Sequence, residues 1–210
     1  MVSITVYDGA KGIGGNKIYV EEKAKGVFLD FGRNFGKYGV YYEDFLKNRD
    51  SRGIHDLIQL DLIPKLNIYR PDLAPADIDL AQYPKLPVAA VLPSHAHVDH
   101  SGNIGLLDMR IPVVASPVSI AILKGMQDSG MSSVDSDAAY SAPKIPAEGG
   151  LFLTSDRKAL TRDVTSSAPP HPARACLTSS PAVPARTGGM QRGTSREPAG
   201  RLMPSPSRFP

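Results

Sequence analysis

Polar and apolar side chains take turns through Ser3-Ile4-Thr5-Val6-Tyr7, the period-two pattern of a strand with one wet face. Lys17–Glu22 and Gly26–Asp30 continue the β-rich pattern across a Lys23-Ala24-Lys25 turn, so the chain is expected to open as a β-meander. Between the first two runs, Asp8-Gly9-Ala10-Lys11-Gly12-Ile13-Gly14-Gly15-Asn16 has the glycines that a turn with positive φ angles requires. The period then lengthens. Helices are expected around Val40–Lys47 and Asp56–Ile63, the second with Leu57, Leu60 and Ile63 on one face. Pro64, Pro71, Pro75, Pro84 and Pro87 divide residues 64–87 into connecting segments. Val88–Leu92 is a short unbroken apolar run, the profile of a strand buried on both faces. A helix start at Ser101–Leu107, a strand at Pro112–Ala115, a helix at Val118–Gln127 and a last strand at Gly150–Thr154 complete the pattern, which is that of an α/β fold.

Composition changes this picture at one place. Of the 46 residues from Thr165 to Pro210, 36 are Pro, Ser, Thr, Ala, Arg or Gly, and none is Lys, Ile or Tyr. The chain therefore divides into a domain over residues 1–164 and a low-complexity tail over residues 165–210. The tail reads either as a disordered extension or as an out-of-frame stretch of GC-rich coding sequence. The abrupt change from Lys to Arg favours the second. Six tail arginines against Glu197 give the tail +5, and the whole chain is +3, so residues 1–164 carry −2. The basic sequence pI near 8.9 thus belongs to the tail and says nothing of a nucleic-acid surface on the domain. Cys176, the single cysteine, lies in the tail, which excludes an intrachain disulfide and fits a reducing compartment. The start of the chain has neither a basic segment nor an apolar signal core, and no apolar run nears the ~18 residues of a membrane span. A soluble, cytoplasmic protein without membrane contact is expected.

The chemistry concentrates in six residues. His95, His97, Asp99 and His100 follow directly on the apolar run at Val88–Leu92. Imidazole nitrogens and a carboxylate oxygen suit zinc, manganese or iron. A strand ending near Pro93 delivers this segment to a sheet edge, where His95 and His97 share one side and Asp99 and His100 reach a second point nearby. Two metal ions about 3.5–4 Å apart share a hydroxide that exists at neutral pH, which supplies a nucleophile.

The segment His95-Ala96-His97-Val98-Asp99-His100 matches the HxHxDH signature, and here the chain resembles the metallo-β-lactamase-fold hydrolases. Asp8-Gly9-Ala10, Ile13-Gly14-Gly15-Asn16 and Leu29-Asp30-Phe31-Gly32 are similar to the opening of the RNase J-like β-CASP branch. The resemblance covers residues 1–164 and implies the N-terminal half of an αββα sandwich. It implies that His95 and His97 bind a first metal and that Asp99 and His100 bind a second. Asp99 also takes part in proton transfer, and Asp30 supports the ligand loop from behind. Zn2+ is the cofactor implied, two per complete site, with Mn2+ or Fe2+ as alternatives. The function implied is a metal-dependent ribonuclease using a dimetal-activated hydroxide, with RNA as partner on the resemblance alone. Two alternatives stand beside it: a small-molecule thioester or lactone hydrolase on the same fold, and a truncated, non-catalytic remnant.

The later ligands of the family have no clear counterpart. His171, inside Pro169-Pro170-His171-Pro172, reads as a solvated tail histidine, and Asp156 and Asp163 qualify as bridging carboxylates by residue type only. Half a sandwich leaves one sheet face without its covering layer, so self-association or aggregation through that face is expected. The remaining motifs have plainer readings. The Gly9–Gly15 segment lacks the Gly-Lys-Ser/Thr ending of a phosphate cradle and reads as a β-turn. His55 reads as a helix-start or surface residue. Tyr38, Tyr41, Tyr42 and Phe45 read as packing rather than base-stacking groups.

Overall fold

The structure is a computed structural model that describes residues 1–42, 46–129, 134–135, 137–156 and 158–167. These lie within one compact unit, Met1–Pro170; the second unit, His171–Pro210, falls outside the described residues. The strands are β1 (Val2–Asp8), β2 (Lys17–Glu22), β3 (Lys25–Leu29), β4 (Val88–Leu92) and β5 (Val113–Ala115), followed by the short β6 (Tyr140–Ser141), β7 (Lys144–Pro146), β8 (Leu153–Ser155), β9 (Leu160–Thr161) and β10 (Val164–Ser166). The helices are α1 (Phe35–Tyr41), α2 (His55–Gln59), α3 (Val98–Ser101) and α4 (Pro117–Ser129). Helices and a mixed sheet together make an α/β fold.

The main sheet has the order β1-β2-β3-β4-β5-β10. β1, β2 and β3 form the meander, with Ile4 opposite Val20 and Val20 opposite Val27. From β3 onward the pairing is parallel, with Leu29 beside Leu92 and Val91 beside Val113. β10 adds to β5 in parallel and carries the sheet across the change of composition at residue 164. Two small ladders, β6 with β9 and β7 with β8, stand apart from it. Among the described residues no helix is long and apolar enough to cross a membrane.

One face of the sheet carries the core. Tyr19, Phe28, Val91 and Val113 point into a cluster with Phe31, Ile54, Leu57, Ile58, Leu62, Leu73, Ile104 and Leu106. Phe28 packs edge-on against Phe31 at 5.1 Å and tilted against Tyr19 at 5.0 Å, geometries that add to the burial of the rings. The opposite face is open: Ile4 is 67% exposed, Val2 56%, Val6 50% and Leu29 39%. This corrects the reading of Val88–Leu92 as buried on both faces. Only Val91 is buried, because Ala90 and Leu92 share the open face, and Ala89 is the extra residue of a bulge between Gly26↔Val88 and Val27↔Ala90.

The first helix also differs from the expectation at Val40–Lys47. It starts at Phe35, where the Asn34 side chain caps it by accepting from the Lys37 amide (3.0 Å), and it ends before the extended Tyr42. Gly36 and Gly39 hide it from a propensity reading; Glu43–Phe45, in the middle of the expected helix, are outside the described residues. α2 is shorter than the expected Asp56–Ile63, because Asp61 turns to φ 52° and Pro64 follows. α3 begins three residues before the expected Ser101 and gives way to a 3-10 turn at Ile104–Leu106. Tyr38 is buried, with its ring 5.8 Å from that of Tyr42 and the Arg33 guanidinium 5.1 Å from its centre, whereas Tyr41 is exposed.

Candidate metal centre

Because β3 and β4 run parallel with Leu29 beside Leu92, both leave the sheet at the same edge. Asp30 follows the one and Ser94–His100 the other. Main-chain hydrogen bonds lock the two segments together: Asp30 N to Leu92 O (3.1 Å), Phe31 N to His100 O (2.9 Å), Arg33 N to Val98 O (2.9 Å) and Asn103 N to Phe31 O (3.0 Å). The glycine turn before β2 joins from the other side, Gly15 N donating to Asp99 O (2.9 Å). Gly32 has no room for a side chain, since a Cβ there would meet the Asp99 carbonyl and lie 2.6 Å from His100 N.

Asp30 is set with unusual care. It is a non-glycine residue at φ 60°, a conformation that an L-residue adopts only when its surroundings hold it there. The carboxylate accepts from Ser94 N (2.6 Å) and Ser94 Oγ (3.1 Å) and lies 2.8 Å from His100 Nδ1. A carboxylate can only accept, so His100 carries its proton on Nδ1 and keeps the Nε2 lone pair free. That Nε2 is 3.4 Å from Asp99 Oδ2, the ligand-to-ligand edge of a tetrahedron with bonds of about 2.1 Å.

Ligand atoms of His95, Asp99 and His100 all lie within 4.8 Å of one another. The His95 ring is 4.0 Å from that of His100, and Ser94 Oγ is 3.0 Å from His95 Nδ1. All three residues are half-buried. The donor set, two imidazoles of which one is backed by a carboxylate together with one carboxylate oxygen, fits a divalent transition-metal ion. His97 is placed differently. It is exposed, stands at the N-cap of α3 with its ring 4.6 Å from that of His95, and is outside the three-residue group.

Asp156 and Asp163 are also outside the group. Asp163 immediately precedes β10, which runs parallel to β5 and hence to β4, so it lies at the opposite edge of the sheet. His171 falls outside the described residues. His55 opens α2, with Nδ1 3.0 Å from Asp56 Oδ1 and Nε2 3.4 Å from Asp77 Oδ2.

Lys17 escaped the sequence reading. Its side chain is fully buried and its Nζ donates to Gly32 O (2.5 Å) and Gly15 O (3.4 Å), with Asp8 Oδ2 at 3.7 Å. It thus ties together the two glycine segments that abut Asp99. Burial lowers its pKa to about 8, against the opposing pull of Asp8. Its apolar neighbours Ile18 and Tyr19 carry the strand signal, and nothing in the local pattern marks the lysine as buried.

No protein-family model matches the chain, and no curated protein is similar enough to count as a relative. Among solved structures the chain is similar to a protein of unknown function from Enterococcus faecalis V583, at 24% identity and a TM-score of 0.44. The match covers 77% of this chain and 43% of that one, so the chain spans less than half of that protein's length.

Proposed function

We propose that this chain is a metal-dependent hydrolase that holds a divalent ion through His95, Asp99 and His100, with RNA as its substrate class. The observation that carries the reading is the convergence of three ligand atoms within 4.8 Å at a sheet edge, one of them on a histidine backed by Asp30. RNA rests on the resemblance of the HxHxDH segment and the glycine-rich opening to the RNase J-like branch. Zn2+ is the ion that the donors favour, with Mn2+ or Fe2+ as alternatives. An ion held there supplies Lewis acidity and acidifies water near neutral pH.

The chain's own groups divide the work. Asp30 fixes the His100 tautomer and, through Ser94 N, the start of the ligand turn. Asp99 presents a carboxylate, 22% exposed at the side chain, that can accept a proton from attacking water and return it to a leaving oxygen. His97, exposed beside His95, is available to a second ion or to substrate. The cytoplasm is the proposed compartment, on the single cysteine.

A second reading, a metal-binding chain without turnover, is favoured by one observation: among the described residues one group of three ligands forms, short of a complete two-metal set. Elemental analysis of the purified full chain, followed by incubation of labelled RNA with Zn2+- or Mn2+-loaded protein, separates the two. Hydrolysis is expected, and its loss with His95→Ala. Bound ion without cleavage supports the second reading, and ion content indifferent to paired substitution of His95 and His97 overturns both.

A further inference from the structure

Among the described residues the sheet packs on one side only, and the open side has an internal logic. Paired residues of neighbouring strands share a face, so cross-strand rows can be read directly. One row runs Ile4, Val20, Val27, Ala90 from β1 to β4, large at one end and small at the other. At the end of the face nearest the β2–β3 turn, Glu22 stands beside Lys25, one charge of each sign.

We propose that a second copy of this chain covers this face, the two sheets stacking about a two-fold axis that runs along the strands between β2 and β3. Such an axis sets β1 of one copy over β4 of the other and β2 over β3. Ile4, two-thirds exposed, then meets Ala90 of the partner copy, and each Glu22 meets the other copy's Lys25. Large lies over small and plus over minus, which is the self-complementarity that an isologous interface requires. The strands of the two copies stay within about 30° of each other, the usual angle of aligned sheets. The face is formed by a few short strands, so the interface it can make is small and falls at the lower end of specific interfaces. Association is therefore expected to depend on concentration.

Sedimentation velocity of the full chain over two decades of concentration tests this. A monomer–dimer equilibrium is expected, weakened at least tenfold by Ile4→Glu. Glu22→Lys and Lys25→Glu are each expected to weaken it several-fold, and the double exchange to restore it, because the pairs between copies regain their complementarity together with the Glu22–Lys25 pair inside each hairpin. Ile4 is mostly solvent-exposed, so the fold should survive its replacement; if circular dichroism shows otherwise, the charge exchanges decide. A chain that stays monomeric throughout, open-ended aggregates, or a double exchange that behaves like the single ones would overturn the proposal. None of these readouts depends on metal or turnover, so failure here leaves the hydrolase reading untouched.

Discussion

Replacing Gly32 by alanine adds one methyl group at the point where the segment following β3 presses on the ligand turn. That methyl would lie 2.6 Å from His100 N and nearer still to the Asp99 carbonyl, all backbone atoms that cannot rotate away. Ordinary contact needs about 3.5 Å or more, so the two segments must part by an ångström or so. The Phe31–His100 and Arg33–Val98 main-chain bonds, now 2.9 Å each, span that same seam and would stretch with it. The Lys17 bond to Gly32 O would shift as well. Overpacking of this kind costs about 1–3 kcal/mol. A displacement of about 1 Å at Asp99 and His100, two of the three proposed ligands, should weaken metal binding by 10-fold to 100-fold or more. Gly12→Ala is the control, because a Cβ there meets nothing within 4 Å. Urea unfolding reads the first effect, and competition with a chromophoric chelator reads the second. If the Gly32 variant held metal and resisted urea as well as the Gly12 variant does, the seam would not position the ligands.

Asp30→Asn keeps the shape and an acceptor for Ser94 N but removes the charge facing His100 Nδ1; metal affinity should fall 10-fold to 100-fold in the same competition assay. Lys17 has a folded pKa of about 8, below its unfolded value of 10.5. The unfolded chain therefore holds more protons between these values, and stability should rise with pH, by about 2 kcal/mol from pH 7 to 9.5. Lys17→Met should flatten that rise, and a parallel pH profile for the two proteins would count against it. The buried Arg162 donates to the carbonyls of Ala138, Asp108, Ile111, Ile104 and Leu107. Arg162→Met strands these acceptors and should cost more than about 3 kcal/mol in urea unfolding; a loss under about 1 kcal/mol would mean that water replaces it.

The meander was legible because its signal is local: alternation and the glycine turn bound β1, β2 and β3 to within a residue or two. The grouping of His95, Asp99 and His100 was legible for the same reason, since all three fall in one six-residue segment. What lay beyond local pattern was missed. Val164-Thr165-Ser166 has no strand period of its own, and β10 exists because β5 offers it a parallel edge. Lys17 and Arg162 look like surface cations, yet both are buried where loops bring unpaired carbonyls together. α1 was displaced because its start is written in a cap, Asn34, rather than in apolar spacing. The open face, by contrast, carries the side chains that the alternation in β1 assigns to one side.

The open face and the metal centre share two strands. Leu29 and Leu92 are neighbours in one row of the open face; Asp30 follows Leu29 directly, and Ser94 is two residues beyond Leu92. Asp30 N is bonded to Leu92 O, and the Asp30 carboxylate to Ser94, so the row and the ligand support are joined by hydrogen bonds into one unit. A layer that packs on Leu29 and Leu92 restrains the residues that fix the His100 tautomer. Metal binding restrains the same residues from the other end. Each event then spares the other part of its ordering cost, and the two must strengthen one another by the same factor. Dimer dissociation measured with and without saturating Zn2+ should differ by the square of the per-site ratio by which zinc affinity differs between dimer and monomer, since each dimer holds two ions. Equal dissociation constants would mean that the sheet is already rigid enough to hide one event from the other.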